Sequence, residues 1–187
     1  MKRAWSYFGE AFRFAVVTLL IVIPIRAYVA QPFIVSGVSM VPSFENGEYL
    51  VIDELSYLLR APRRGEVVVF RYPLDQSKFF IKRVVGLPGE TVEIRGGKVF
   101  VKNGQTETVW NYPVIQTETM GGNGIYPLGP GQYFVLGDNR GMSLDSRAWG
   151  SVDEKLIRGR VFVRLFPFNR LGLLPTDVSG RPTEMSS

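Results

Sequence analysis

The first hydrophobic pattern in the chain is an apolar run near the N-terminus. Twelve residues without a charge, Phe14 to Ile25, follow a basic start that contains Lys2 and Arg3. Twelve residues is the length of a signal-peptide core rather than of a membrane span. If the Arg26 side chain extends to the interface, however, residues 14–35 form a mostly apolar stretch of 22 residues. As a helix this stretch is roughly 33 Å long, enough to cross one bilayer.

A cleaved export signal and an uncleaved membrane anchor are the two main interpretations of this run. Cleavage after Ala30 would place Tyr28 at the −3 position, and cleavage after Ala27 would place Ile25 there. Signal cleavage sites require small residues at this position. We therefore predict an uncleaved transmembrane anchor and exit segment over residues 14–35. A buried core helix of a soluble protein is the remaining alternative.

From residue 48 onward the apolar residues occur in short runs rich in Val, Ile, Phe and Tyr, separated by Gly and Pro. Such runs are typical of β-strands. Gly96-Gly97 predicts a two-residue hairpin turn between two of them. The fold class is therefore predicted as mainly β, an antiparallel sheet behind one N-terminal transmembrane helix. The predicted strands are Tyr49–Asp53, Glu66–Tyr72, Phe79–Val85, Thr91–Ile94, Val99–Lys102, Gln132–Leu136 and Val161–Phe166.

Three further segments complete the predicted domain organisation. Leu55 to Arg60 predicts one helical turn, and the polar, Gly-rich residues 103–131 predict a long, variable insertion. The tail, residues 167–187, shows no periodicity and is predicted to be frayed. We thus expect a cytoplasmic N-terminus (1–13), the anchor (14–35), an extracytoplasmic β domain (36–166) and the tail.

The net charge of +5 is concentrated at the N-terminal end. Residues 1–30 have a net charge of +3, whereas the other 157 residues have 18 basic and 16 acidic side chains. Basic residues before a span predict that the N-terminus is cytoplasmic and that the rest of the chain is exported. Since the body is almost neutral and has no basic stripe, we exclude nucleic acid as a partner.

The composition narrows the possible chemistry. The chain has 187 residues, 45% of them hydrophobic, with no Cys and no His. Thiol nucleophiles, thiolate metal sites and Ser-His-Asp triads are therefore excluded, and we expect no metal or cofactor. Acid–base chemistry near pH 7 would require a Lys, Asp, Glu or Tyr with a displaced pKa.

A serine just past the apolar segment is a candidate nucleophile. Ser39 follows Gly37 and precedes Pro42, two residues that shape turns. Taken alone, this segment is better explained as a polar linker leaving the membrane.

Lys82 is the candidate base. In a strand it shares one face with Phe80 and Val84, while the opposite face is also largely apolar. Burial disfavours the ammonium form and lowers the pKa of a lysine. A lysine at the edge of the sheet whose amine extends to water is an equally good explanation of this segment alone.

The third candidate segment runs from Gly137 to Gly150 and is dense in polar residues. Asp145 and Arg147 form a natural ion pair, and the neighbouring hydroxyl of Ser143 could orient a lysine amine. An ordinary surface turn is the alternative.

Together the three segments resemble bacterial type I signal peptidases, the membrane serine proteases that remove signal peptides from exported proteins. Ser39-Met40-Val41-Pro42 matches the serine motif, and Lys82-Arg83 followed by Gly86 to Glu90 matches the lysine motif. Gly137 to Gly150 matches the Gly-Asp-Asn-Arg motif with its Ser-x-Asp-Ser-Arg continuation. The three motifs occur in the family's order over roughly residues 10–170.

The resemblance implies a role for each matched residue. Ser39 would be the nucleophile and Lys82 the general base, with the Ser143 hydroxyl orienting the amine. Asp145 and Arg147 would brace the site, and the Ser39 backbone N–H would hold the oxyanion. The chain departs from the family pattern at three places: Gly37 stands where many members have a second oxyanion donor, Ser43 where Thr is usual, and Gly141-Met142 where Asp-Asn is common.

The resemblance also implies the substrate and the location. Secretory preproteins would bind as an extended strand beside residues 33–38 and be cleaved after small residues, in the pattern Ala-x-Ala. The enzyme would lie in the bacterial plasma membrane, in contact with lipid. The predicted pocket residues are Phe33, Val35, Met40, Phe44, Phe80 and Ile81.

Two other functions are compatible with parts of the sequence. Self-cleaving repressors also combine a Ser/Lys dyad with a β core, but they have a soluble DNA-binding domain where this chain has an apolar segment. A non-catalytic, membrane-anchored β module would bind its partner without any need for Ser39.

Overall fold

The structure is a computed structural model that describes residues 10, 12–20, 31–110 and 123–174. Residues 10 and 12–20 are helical. Among the described residues, we find no helix that is both long enough and apolar enough to cross a membrane. Residues 21–30, the middle of the predicted anchor, lie outside the described residues.

The described strands form two antiparallel sheets, as predicted for a mainly β fold. The strands are β1 (Gln31–Ile34), β2 (Tyr49–Asp53), β3 (Val67–Tyr72), β4 (Asp75–Gly86), β5 (Thr91–Arg95), β6 (Lys98–Asn103), β7 (Thr106–Val109), β8 (Gly124–Pro127), β9 (Gln132–Leu136), β10 (Val152–Asp153), β11 (Ile157–Phe166) and β12 (Gly172–Leu173). The larger sheet has the order β1-β2-β11-β3-β4-β9-β10, with β12 paired to β11, and the smaller has the order β7-β6-β5-β8.

Short helices occupy some of the connections between these strands. α1 (Ser56–Leu59) is the helical turn predicted after β2, and α2 (Ser146–Trp149) follows β9. Three 3₁₀ turns are formed by Arg140–Met142, Glu154–Leu156 and Phe168–Arg170.

The seven predicted strands are all present, and two of them have the predicted ends. β4 is longer than predicted, with 12 residues. The Gly96-Gly97 hairpin is confirmed, because both glycines have positive φ, 54° and 74°, and the flanking residues Arg95 and Lys98 pair. A type I′ turn, which is common in two-residue hairpins, requires positive φ at both central residues.

Three predictions need correction. Residues 31–34, the end of the predicted anchor and exit segment, belong to the sheet, because their main chain pairs with β2 from Gln31↔Ile52 to Ile34↔Tyr49. The predicted insertion contains β7 and β8, which pair with β6 and β5 and thereby complete the smaller sheet. Residues 167–174, the part of the tail that the structure describes, are not frayed, because β12 folds back and pairs with β11.

The hydrophobic core consists of three clusters that hold the site elements in place. One lies around Phe134 and the smaller sheet, and another around Phe70 and Tyr133. The third packs beneath the connection between β1 and β2 and contains Val35, Met40, Phe44, Leu50, Ile52, Val69 and Val161.

Candidate active site

The connection between β1 and β2 presents Ser39. We call residues 36–48 the Ser39 loop. Its two ends are joined by main-chain hydrogen bonds, since the Val35 N–H donates to Glu48 O and the Gly47 N–H donates to Val35 O, each at 2.9 Å. Within the loop, the Gly37 N–H donates to Asn46 Oδ1 at 2.9 Å. The loop is thereby closed at its base, with Ser39 near its start.

Lys82 lies in β4 between β3 and β9, the interior of the larger sheet. Its side chain is only 4% exposed. The amine is 5.3 Å from the centroid of the Phe80 ring, which itself stacks on Tyr72 and contacts the edge of Trp149. The sequence prediction that Lys82 is desolvated is confirmed.

The Lys82 amine reaches Ser39. Nζ lies 2.8 Å from Ser39 Oγ and also donates to Ile81 O at 2.9 Å. Burial lowers the pKa of Lys82 to about 8, although the charges of Asp145 and Asp138 act in the opposite direction. A substantial neutral fraction therefore exists just above physiological pH, and a neutral amine at this distance can accept the hydroxyl proton.

Asp145 and Arg147 form the predicted ion pair. Arg147 Nε and Nη2 contact the two carboxylate oxygens at 2.7 and 2.9 Å. The same guanidinium donates to the carbonyls of Arg140 and Ser143, and Asp145 accepts the Gly137 N–H at 3.0 Å. This pair therefore links the two ends of the segment that follows β9 and so braces that segment.

Ser143 is beside the site, but its hydroxyl does not contact the lysine. Its Oγ is buried and has no hydrogen-bond partner among the described residues, whereas the Lys82 amine contacts Ser39 and Ile81. A Cβ placed on Gly137 would lie 2.1 Å from Ser143 Oγ and 2.6 Å from Ser39 O. Ser143 and the Ser39 backbone thus approach each other across a space that only a glycine leaves open.

A second buried ion pair was not singled out from the sequence. The Arg83 guanidinium contacts both oxygens of Asp138, with Nε–Oδ1 at 2.8 Å and Nη2–Oδ2 at 2.6 Å, and the Ser43 hydroxyl donates to the same carboxylate. This pair joins the residue after Lys82 to the Ser39 loop. A signal was present, because a buried arginine beside a strand lysine needs a carboxylate partner, and Asp138 stands in the third motif.

Asn139 is another residue that the sequence reasoning passed over. Its N–H donates to Ser39 O at 3.0 Å and its side-chain amide donates to Val38 O at 3.2 Å. These bonds fix the peptide unit that contains the Ser39 N–H, the group predicted to hold the oxyanion, and the peptide unit that follows it. Gly37 has a φ of +95° and provides no side-chain donor.

A cleft of about 600 Å³ runs past Ser39 and Lys82 between β1 and β4. Four of the six predicted pocket residues line it: Phe33, Val35, Phe80 and Ile81. The lining also includes residues that were not predicted, among them Leu50, Val69, Phe79, Met142 and Leu144.

Met40 and Phe44 do not line the cleft. They are 1% and 3% exposed and pack in the core cluster with Leu50 and Ile52. The resemblance predicts both as pocket residues, but the turn directs them away from the cleft and into the interior. Among the described residues, no group of three or more acidic side chains could hold a metal ion.

The chain is similar to known proteins over most of its length. The family model described as "Signal peptidase, peptidase S26" matches residues 8–166. A probable signal peptidase I-2 from Synechocystis sp. is 36% identical over 196 residues, covering 99% of this chain and 84% of the relative. Signal peptidase I from Leptolyngbya laminosa is 37% identical over 180 residues, covering 92% and 86%. A crystal structure of a signal peptidase I from Enterococcus faecalis V583 has 26% identity, covers 54% of this chain and 97% of its own, and gives a TM-score of 0.46.

Proposed function

The chain belongs to the signal peptidase I family, peptidase S26, whose members are serine peptidases that remove signal peptides from secretory preproteins. We propose that in this reaction Ser39 is the nucleophile and Lys82 is the general base. The observation that supports this assignment most directly is the distance of 2.8 Å between Lys82 Nζ and Ser39 Oγ, with the amine buried.

The reaction proceeds in two halves. Neutral Lys82 accepts the Ser39 hydroxyl proton while Oγ attacks the scissile carbonyl carbon. The Ser39 N–H stabilises the oxyanion, and the C–N bond breaks as the Lys82 ammonium gives its proton to the leaving amine. Water then attacks the acyl-enzyme while Lys82 takes a proton from it, and the ester bond to Ser39 Oγ breaks. Lys82 returns the proton to Oγ, and the signal peptide leaves with its new carboxyl end.

The other motif residues position this dyad. Asp145 with Arg147, and Asp138 with Arg83, hold the segments on either side of the lysine. Ser143 Oγ, buried beside the site and without a hydrogen-bond partner among the described residues, orients the lysine amine during the reaction. The Ser39 N–H is held between the carbonyls that Asn139 fixes.

Substrate binds in the cleft as an extended strand. Among the described strands, β1 pairs with β2 alone and lies at the edge of the sheet, so its other edge can pair with a peptide. Val35 and Ile81 line the cleft, and we expect these walls to admit small side chains at −1 and −3, in the pattern Ala-x-Ala.

The enzyme is anchored in the plasma membrane of bacteria, where this family acts. Residues 14–25 have no charge, and the sheet begins at Gln31, so the active site lies close to the outer membrane surface, against lipid. A reporter fused after Ser187 should be exported in bacterial cells. A C-terminus shielded from protease in spheroplasts would contradict this topology.

Cleavage of a purified preprotein tests the dyad. The full chain in detergent micelles should cleave an Ala-x-Ala precursor, and Ser39→Ala and Lys82→Arg should each lose roughly 10³-fold or more of the activity. Arginine keeps the charge but does not release a proton in proteins. The Lys82→Arg substitution therefore distinguishes a general base from a cation with a purely structural role. Ser77→Ala and Lys98→Arg, both at exposed positions, are the matched controls and should retain full activity.

A further inference from the structure

Two arginines near the end of the described chain contact the Ser39 loop. Arg164 belongs to β11, and Arg170 ends the 3₁₀ turn that follows it. Neither lies in the three motifs, and neither is close to Ser39 in sequence. Within the described structure, their side-chain hydrogen bonds, ion pairs and ring contact with the Ser39 loop fall on residues 42–48, which follow the nucleophile.

Arg170 binds the loop at three points. Nη1 forms ion pairs with Glu45 Oε1 at 2.7 Å and with Glu48 Oε1 at 2.9 Å. Nη2 donates to Pro42 O at 3.4 Å. One guanidinium thus joins the residue three positions after Ser39 to the two acidic residues near the loop's end.

Arg164 supports the same segment from the sheet. Its Nε is 2.8 Å from Glu48 Oε2, an ion pair without the alignment of a hydrogen bond, and its Nη2 donates to Ser43 O. The guanidinium also lies over the Phe44 ring, 5.2 Å from the centroid. Glu48, only 2% exposed, therefore sits between two cations at the point where the loop joins β2.

The fold gives Arg170 a defined place. β12 folds back onto β11 through the pairs Arg164↔Gly172 and Val163↔Leu173, and the Leu174 N–H donates to Phe162 O at 2.8 Å. The turn before β12 is consequently held at both ends, and Arg170 projects from it onto the loop.

We propose that Arg170, acting with Arg164 through Glu48, is a positioning residue that holds the Ser39 loop against the lysine. The inference rests on the proposed roles of Ser39 and Lys82. On its other side, the loop is fixed by Asn139 and Asp138, which act on the Ser39 peptide and the Ser43 hydroxyl. Without the arginines, residues 42–48 would lose their ionic contacts with β11 and the turn after it, and would keep the main-chain bonds at the base of the loop and the packing of Phe44.

Such a role has a kinetic signature. Proton transfer depends steeply on the distance between the two reacting atoms, so loosening the loop lowers the rate of the chemical step. Among the described residues, the hydrogen bonds and ion pairs of the Arg170 side chain do not include the cleft walls in β1 and β4, so substrate affinity should not change. A purely structural arginine would instead lower the unfolding temperature and leave kcat unchanged well below that temperature.

The experiment compares Arg170→Ala with Arg95→Ala in the full chain in detergent micelles, at a temperature well below unfolding. Arg95 is the matched control, because it also pairs with two carboxylates, Glu93 and Glu107, but lies in the smaller sheet. For Arg170→Ala we expect kcat to fall roughly 10-fold with KM within about twofold, whereas Arg95→Ala should match the wild type. Arg170→Lys should restore part of kcat, since an ammonium can still pair with Glu48.

A double-mutant cycle tests whether Arg170 acts on the Ser39 loop through Glu48. On a Glu48→Gln background, Arg170→Ala should lower kcat by less than about threefold, because the contact that it removes is already weakened. Equal kcat values for Arg170→Ala and Arg95→Ala would overturn the inference, as would a loss explained by a lower unfolding temperature. Ser39→Ala is assayed in parallel: if it remains active, the proposed dyad fails instead.

Discussion

Lys82 Nζ and Ser39 Oγ lie 2.8 Å apart, although 43 positions separate the two residues in the chain. The contact depends on two different parts of the fold, the rigid strand β4 and the closed loop between β1 and β2. Because the lysine is buried, its pKa is about 8 rather than the 10.5 of an exposed lysine. The first two predictions follow from this displacement.

The pH dependence of kcat/KM should have an acid limb with a midpoint near pH 8. Only the neutral amine can accept the Ser39 proton, so activity should fall about tenfold for each pH unit well below the midpoint. Initial rates on an Ala-x-Ala precursor between pH 5 and 10 measure this limb. A midpoint near pH 4–5 would indicate a carboxylate base and would contradict the role of Lys82.

Replacing Lys82 by Met should abolish activity and increase stability at neutral pH. Since the pKa of Lys82 is lower in the folded state, the unfolded chain binds more protons between pH 8 and about 10.5. The contribution of Lys82 to the free energy of unfolding therefore rises with pH through that window, and the full cost of burying the charged amine is present below pH 8. After allowing for the lost contacts with Ser39 and Ile81, Lys82→Met should gain roughly 1–2 kcal/mol in the free energy of unfolding at pH 7.

Urea unfolding of the two proteins at pH 7, 9 and 10.5 measures this difference. The advantage of Lys82→Met should shrink as the pH rises, because the folded wild type no longer carries the buried charge. Lys98→Met, at an exposed strand position, is the control and should show no such trend. A constant difference across the pH range would mean that Lys82 is not desolvated.

The sheet could be predicted from the sequence where strands have their own hydrophobic pattern. β2 and β9 were predicted with correct ends, since each is a run of Tyr, Val, Ile or Leu bounded by polar or Gly residues. β7 has the sequence Thr-Glu-Thr-Val and β8 has Gly-Ile-Tyr-Pro, neither of which has a core-facing pattern of its own. They are strands because β6 and β5 offer main-chain partners, a tertiary effect that local sequence does not contain.

The sequence was enough to predict the dyad and the ion pair of the site, but not which side chains line the cleft. Motif positions identified Ser39, Lys82, Asp145 and Arg147, and the structure brings them together. Which side chains line the cleft could not be read from the sequence, because a turn without periodicity does not show where a side chain points. Met40 was therefore assigned to a pocket although it packs in the core.

Gly137→Ala should reduce activity without unfolding the chain. The backbone there does not have the positive φ that favours glycine, so alanine can adopt it, but the added Cβ would come within 2.6 Å of Ser39 O and 2.1 Å of Ser143 Oγ. The Ser39 backbone must shift, and a displacement of this kind should lower kcat roughly 10²-fold.

Steady-state cleavage assays together with thermal unfolding check this expectation. Gly172→Ala is the matched control, because a Cβ there meets nothing within 4 Å. Full activity of Gly137→Ala would show that the approach of Ser39 to the third motif is not needed for catalysis.

The size of the −1 side chain should determine whether a precursor is cleaved, and Ile81 should set the limit. Ile81 lines the cleft one position before the lysine, so its side chain is a wall beside the reacting carbonyl. Changing −1 from Ala to Leu should lower wild-type kcat/KM roughly 10²-fold, because the three added carbons would meet the Ile81 wall. Shortening Ile81 to Ala removes part of that wall, so the Leu precursor should regain roughly tenfold relative to the Ala precursor. Leu74→Ala, at a 73% exposed position in the turn before β4, should leave the ratio unchanged. If the wild type cleaves both precursors equally, or if Ile81→Ala leaves their ratio unchanged, then the −1 side chain does not contact this wall.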